Sequence, residues 1–371
     1  MTEEIKKLDY TGVPEGYNRV GFVIPSTNCC VEKVVGEMQA GLKENGIFPI
    51  VVEEENPRGL ADYFPDNIIY FRCGTKPGTP IHILGGVEGH IGYFKSLDIP
   101  IYYYLDDAFF HANNFAPLKL LVNCDELIFA TEALIQYVRE RGISKTIHLL
   151  KTHIDMPVFD ILPEANLVMD KKKLNILYTS EGRIGILMLN RICEIMSQRA
   201  EKYKDVRIVC ITDNIGQVRS VINRWRGIEK IYYERVPLYE YYGISKMSQI
   251  FLTPGEPGDL DYFLPKDLQE LWLAAKSCVK YTIAGAASAV CITSKYLKEY
   301  EMAISHKETG FIAGDDPEEW MEYIDLMIEN QELREKIGKN ARQDVYDKWH
   351  IYKRVDEFSN ILKGNSTCKI A

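Results

Sequence analysis

A chain of 371 residues, 46% hydrophobic and 26% charged, has the composition of an ordinary soluble globular protein with room for two domains. Its net charge of −9 argues against nucleic-acid binding, which calls for a concentrated basic surface. Nine cysteines without a CxxC pair indicate neither a disulfide framework nor a zinc site, and no apolar run approaches the roughly 20 residues of a membrane helix.

The first residues, MTEEIKKLDYTG, lack the apolar stretch of a signal peptide, so a cytoplasmic protein is expected. Short apolar runs then alternate with amphipathic stretches, the pattern of parallel sheets covered by helices. In the first half, strands are predicted at 20–25, 48–52, 68–71, 81–84, 101–105, 126–130 and 146–150, with helices over 31–44 and 132–141. Residues 155–173 carry Pro157, Pro163 and Lys171-Lys172-Lys173 without a period, and read as a linker whose lysines form a solvated turn. The second half repeats the rhythm, with strands at 175–178, 207–211, 228–233, 249–252 and 289–293. Its helices fall at 187–203, 215–224, 267–275 and 317–329, and 333–362 is helical again. The terminal Cys368-Lys369-Ile370-Ala371 is only superficially a prenylation box, because Lys369 stands where an aliphatic residue belongs.

Ligands of open parallel sheets bind beyond the carboxyl ends of the strands. In the first half those ends carry Ser26-Thr27-Asn28, Gly85-Gly86 with His90, Asp106-Asp107, Thr131-Glu132 and Thr152-His153. In the second they carry Thr179 to Arg183, Thr212-Asp213, Pro237 to Tyr239, Pro254-Gly255-Glu256 and Ser294. Two such sets support a cleft between domains. Asp106 and Asp107 either meet a ligand or cap the following helix. Among the histidines, His153 follows a strand with Asp155 close behind, His90 follows a glycine turn, and His111 is a third candidate. Gly182 and Gly185 flank Arg183, a guanidinium able to pair with phosphate oxygens. Lys276, Ser277, Lys280 and Tyr281 precede a short helix, whose N-terminus is a resource for phosphate.

The stretch KSCVKYTIAGAASAVCITSKYLKEYEMAISHKETGFIA, together with IPIYYYLDDAFFHANN and CDELIFATEALIQYVRERG, closely resembles the GT-B glycosyltransferases of the large group-1, family-4-like class. The resemblance implies an α/β fold of two Rossmann-like domains facing an interdomain cleft. It places an acceptor-side domain at 1–165, a donor domain at 166–347, and a C-terminal helix and tail, 348–371, crossing back to the first domain. It further implies transfer of a sugar from a nucleotide-diphosphate sugar to a glycan, lipid-linked or protein acceptor, with retention of configuration and no metal or other cofactor. Peripheral membrane association and a homo-oligomer stay open.

On this resemblance Gly182, Arg183, Ser277, Lys280 and Tyr281 approach the donor diphosphate, and Tyr239 or Tyr241 flanks the base. Asp106, Asp107 and His153 position sugar and acceptor. One departure stands out. The class carries two glutamates eight positions apart, and those places here are Ala275 and Ile283. Either ribose recognition has moved, to Glu256 or Asp259, or the chain is a catalytically silent homologue serving as partner or scaffold of an active transferase. A nucleotide-sugar epimerase of the same architecture is a third reading, without an epimerase-specific acid/base set to support it.

Overall fold

The computed structural model describes residues 16–25, 35–53, 60, 63, 65–71, 73, 86–106, 115–165, 173–180, 184–261, 266–365 and 369–370. The chain divides into two compact units, Met1–Thr152 with Ile351–Ala371, and His153–His350.

The first unit contains strands β1 (Asn18–Ile24), β2 (Ile47–Glu53), β3 (Asn67–Phe71), β4 (Ile101–Leu105), β5 (Glu126–Phe129) and β6 (Thr146–Leu149). Its helices are α1 (Glu37–Glu44), α2 (Gly86–Lys95), α3 (Phe115–Asn123) and α4 (Glu132–Glu140). The second unit opens with α5 (Met156–Ile161). It continues through β7 (Leu174–Ser180), α6 (Ile186–Gln198), β8 (Val206–Thr212), α7 (Ile215–Ile222), β9 (Glu229–Tyr233), α8 (Leu238–Lys246) and β10 (Ile250–Thr253). Then come α9 (Lys266–Ala274), α10 (Val279–Ala286), β11 (Val290–Ser294), α11 (Lys298–Ala303), β12 (Gly310–Ala313), α12 (Pro317–Glu329) and α13 (Gln331–Trp349). The chain returns to the first unit as α14 (Ile351–Leu362) and β13 (Lys369–Ile370).

The first sheet runs β2-β1-β3-β4-β5-β6 in parallel, with β13 antiparallel on β6. Its central strand IYYYL is buried at every position, as a sheet covered on both faces requires. Tyrosine is tolerated there because its hydroxyl finds a partner: Tyr103 donates to the Cys73 carbonyl at 3.2 Å. α4 begins where Thr131 accepts the Leu134 N–H, and it buries Leu134, Ile135, Tyr137 and Val138 on one side. α14 packs on α1 and the sheet, with Val355 against Gly41 and the Phe358 ring edge-on to Phe22.

The second sheet runs β9-β8-β7-β10-β11-β12, the 3-2-1-4-5-6 order of a Rossmann sheet, and is parallel throughout. α6, α7 and α12 bury Ile192, Met196, Val218, Trp320 and Ile324 in one hydrophobic core. A separate core takes Phe159, Tyr242, Tyr281 and Val345 from α5, α8, α10 and α13. α10 and α13 approach closely enough that a Cβ on Gly285 would meet Val345 Cγ2 at 2.5 Å.

Three sequence expectations change. Residues 156–161 are helical, although 155–173 read as a linker, because Asp155 caps the helix and Pro157 occupies its first turn. The division between units therefore falls at Thr152/His153: Ile154, Met156 and Phe159 belong to the core of the second unit. The single helix expected over 333–362 is two, broken at His350, whose ψ of 139° is extended. There Ile154 pairs with His350 and donates its N–H to the Trp349 carbonyl, so the two chain passages between units lie side by side. The strand expected at 81–84 lies outside the described residues.

Candidate functional site

In the second unit the switch point of the sheet lies between β7 and β10, where successive connections leave in opposite directions. Gly182 and Arg183 lie outside the described residues, which resume after Ser180 at Ile184. At Ile184 the backbone is fixed: its carbonyl accepts from the Tyr178 hydroxyl at 2.6 Å and the Ser180 hydroxyl at 2.8 Å. Gly185 then takes φ +76°, and a Cβ there would meet the Pro254 carbonyl oxygen at 2.5 Å. Only glycine permits that conformation and that approach together.

On the β10 side, Pro254-Gly255-Glu256 leads into a single 3-10 turn, Pro257–Leu260. Ser294, at the end of β11, donates to the Gly255 carbonyl at 2.6 Å and holds this loop. Asp259 is only 3% exposed. Its Oδ2 accepts the N–H groups of Gly185 at 2.7 Å and Glu256 at 3.0 Å, and its Oδ1 accepts that of Leu187 at 3.3 Å. Burial lifts its pKa to about 6, against the opposing pull of those amides. Glu256 Oε2 pairs with Arg191 at 3.2 Å, while Oε1 is enclosed and has no hydrogen-bond partner among the described residues.

A second group gathers where α10 begins. Ser277 is half-buried, and the N-cap Cys278 offers no side-chain cap. The Lys280 ammonium reaches across to the end of β7 and donates to the Thr179 carbonyl at 2.5 Å. Thr179 Oγ1 lies 3.4 Å from the Tyr241 hydroxyl on α8, and the Lys280 N–H donates to the Tyr300 hydroxyl at 3.4 Å. Lys280, Thr179, Tyr241 and Tyr300 thus converge on one strand end. Of the two tyrosines considered for the base, Tyr241 belongs to this group, whereas Tyr239 is 39% exposed. Helical spacing carried the distinction, since Tyr241 stands three residues beyond the buried Leu238 and beside the buried Tyr242. Tyr300 had no sequence signal of its own.

Tyr281 is placed differently from Lys280. It is fully buried, its hydroxyl donates to Asp344 at 2.8 Å, and burial raises its pKa far above the usual phenol range. It ties α10 to α13. Ala275 and Ile283, the positions of the missing glutamates, are enclosed apolar residues, so the packing there leaves no room for a solvated carboxylate.

In the first unit Asp106 stands at the carboxyl end of β4, half-buried, while Asp107 and His111 lie outside the described residues. His90 is buried on α2. His153, the first residue of the second unit, is 1% exposed; beside it Asp155 accepts the Val158 N–H as the cap of α5. A cavity of about 360 Å³ lies at the opposite, amino-terminal edge of the second sheet, lined by Lys173, Lys246 and Arg334 among others. Its cations already have partners: Lys173 pairs with Glu229, and Lys246 and Arg334 donate to backbone carbonyls. Among the described residues no helix is long and apolar enough to cross a membrane, and no three His, Cys, Asp or Glu side chains converge to hold a metal.

No family model matches the chain, and no curated protein matches it. Solved structures do. Sucrose-phosphate synthase from Thermosynechococcus elongatus superposes with a TM-score of 0.65 at 11% identity, covering 94% of this chain and 98% of that one. HepE from Anabaena, in complex with UDP-glucose, gives 0.62 at 11% identity, covering 93% and 99%. A Listeria monocytogenes protein assigned as a UDP-N-acetylglucosamine 2-epimerase gives 0.61 at 9% identity, covering 96% and 99%. The chain has the GT-B glycosyltransferase fold, two Rossmann-like α/β units with a returning C-terminal helix. At these identities the likeness establishes architecture, and activity must be argued from the site.

Proposed function

We propose that the protein is a glycosyltransferase that takes a nucleotide-diphosphate sugar as donor and transfers the sugar, with retention, to a glycan, lipid-linked or protein acceptor in the cytoplasm. The observation that carries this reading is Lys280. Its ammonium sits at the switch point of a 3-2-1-4-5-6 sheet, at the start of a helix, beside Tyr241 and the end of β7. A cation there is suited to the diphosphate, and it offsets the charge that develops on the leaving group as the glycosidic bond breaks.

In this reading Lys280 and Arg183 hold the diphosphate, with Ser277 adding a hydroxyl. Tyr241 lies against the base on the inner side and Tyr239 on the outer. Both oxygens of Asp259 are engaged by backbone amides, so of the two carboxylates considered for the ribose only Glu256 has an oxygen to offer. Asp106, Asp107 and His153 position sugar and acceptor. Neighbours solved with UDP and UDP-glucose support a donor of this chemical class.

The test is turnover of radiolabelled UDP-, GDP-, TDP- and CDP-sugars, with and without glycan, lipid-linked and peptide acceptors. Label entering an acceptor supports the transferase. No turnover in any arm, together with no saturable stabilisation by any nucleotide diphosphate, would instead identify a silent homologue, and interconversion of the sugar without acceptor would identify an epimerase.

A further inference from the structure

The start of α6 is the place where a sheet of this order ordinarily receives a pyrophosphate, because the first strand leads there into a helix with unpaired N–H groups. In this chain that place is occupied from within. We propose that Asp259 is a built-in anion filling the start of α6, so that an incoming diphosphate is directed to Lys280 at the start of α10.

Several independent contacts make the arrangement rigid. The Asp259 carboxylate bridges the two loops of the switch point, taking the Gly185 and Leu187 amides from one and the Glu256 amide from the other. The Ile184 carbonyl is held by two hydroxyls, and Gly185 rests against Pro254 with no space for a Cβ. α6 has no side-chain cap of its own, since its N-cap is Gly185, so the carboxylate supplies from a distant position what a capping aspartate would supply locally. A phosphate entering the same place would have to displace a buried anion that already bonds three amides. At the start of α10 stands Lys280, and the positive end of the helix adds to its charge. Asp259 is therefore a positioning residue, acting through where it allows the diphosphate to sit.

The inference rests on the donor-site reading above, and hydrogen exchange with UDP as the probe separates the two. In the wild type, peptides covering 184–188 should exchange slowly without ligand and gain no protection from saturating UDP, while peptides covering 277–282 should gain it. In Asp259→Ala the 184–188 amides should exchange at least tenfold faster, and sodium formate, a carboxylate small enough for the vacated place, should slow them again. Rescue by formate would not follow from a role in packing alone. If Asp259→Ala fails to fold, Asp259→Asn serves, since one amide oxygen still accepts: intermediate exchange at 184–188 supports the proposal, and exchange as slow as in wild type overturns it. Protection of 184–188 by UDP in the wild type, or rapid exchange there without ligand, overturns the built-in anion and leaves the donor reading standing. Slow exchange at 184–188 with no UDP protection anywhere in the chain overturns the routing together with the donor reading.

Discussion

The two helix starts at the carboxyl edge of the second sheet, α6 and α10, make an instructive pair. Neither has a capping side chain at its own N-cap, Gly185 in one and Cys278 in the other. Both therefore present backbone N–H groups and a positive dipole end. At α6 a buried carboxylate from the β10 loop accepts the Gly185 and Leu187 N–H groups, and the surrounding backbone is pinned. At α10 the ammonium of Lys280 is near the helix start. On the reading proposed above, the Asp259 carboxylate closes the first of these starts to an anion and Lys280 serves the second.

The comparison is broken most severely at Gly185. Gly185→Ala combines a left-handed backbone with a collision against the Pro254 carbonyl, and should destabilise the second unit by about 2–5 kcal/mol in urea unfolding. A loss below about 1 kcal/mol would mean that the two loops are not fixed to one another. At the other helix, Lys280→Ala should weaken binding of a nucleoside diphosphate by roughly 10- to 100-fold, the worth of one charge-assisted hydrogen bond, as read by calorimetry.

Proton linkage sharpens the contrast. The folded value of Asp259, about 6, lies above the ordinary carboxylate value of about 3.9. The stability linked to its protonation is thus fully present below about pH 4 and is lost as pH rises through about 6. Between pH 5 and pH 7.5 the wild type should lose about 1 kcal/mol relative to Asp259→Asn; parallel pH curves would show that the carboxyl does not titrate there. Tyr281→Phe removes the bond to Asp344 and should cost about 1 kcal/mol of stability while leaving nucleotide affinity unchanged. A smaller effect still is expected of Tyr241→Phe, whose hydroxyl lies 3.4 Å from Thr179: affinity for a nucleoside diphosphate should change less than about threefold.

Strand positions in both units were legible because fully buried parallel strands write themselves as near-continuous apolar runs, IYYYL and the IVCI of β8 among them. The strand-end rule also pointed to the loops after β7 and β10, which adjoin in the structure and are joined by the Asp259 carboxylate. What it could not separate is which polar residue at a strand end faces a ligand and which holds the backbone. Ser294 and Asp259 look like ligand residues in the sequence, yet both hydrogen-bond the main chain of neighbouring loops. Tyr281 follows Lys280 directly, but one helical step turns it into the core. The helix at 156–161 was hidden by its prolines, although an aspartate followed by proline in a first turn is itself a start signal. The break at His350 left no mark in the periodicity, because both flanking segments keep a helical pattern.

The most direct measurement is a calorimetric titration of UDP, GDP, CDP and TDP into the wild type and Lys280→Ala, each with its thermal midpoint recorded without ligand. Saturable binding of at least one diphosphate, weakened roughly 10- to 100-fold in a variant that remains folded, is the predicted result. Binding of equal strength in both proteins, or none in the wild type, would contradict a donor site built around Lys280.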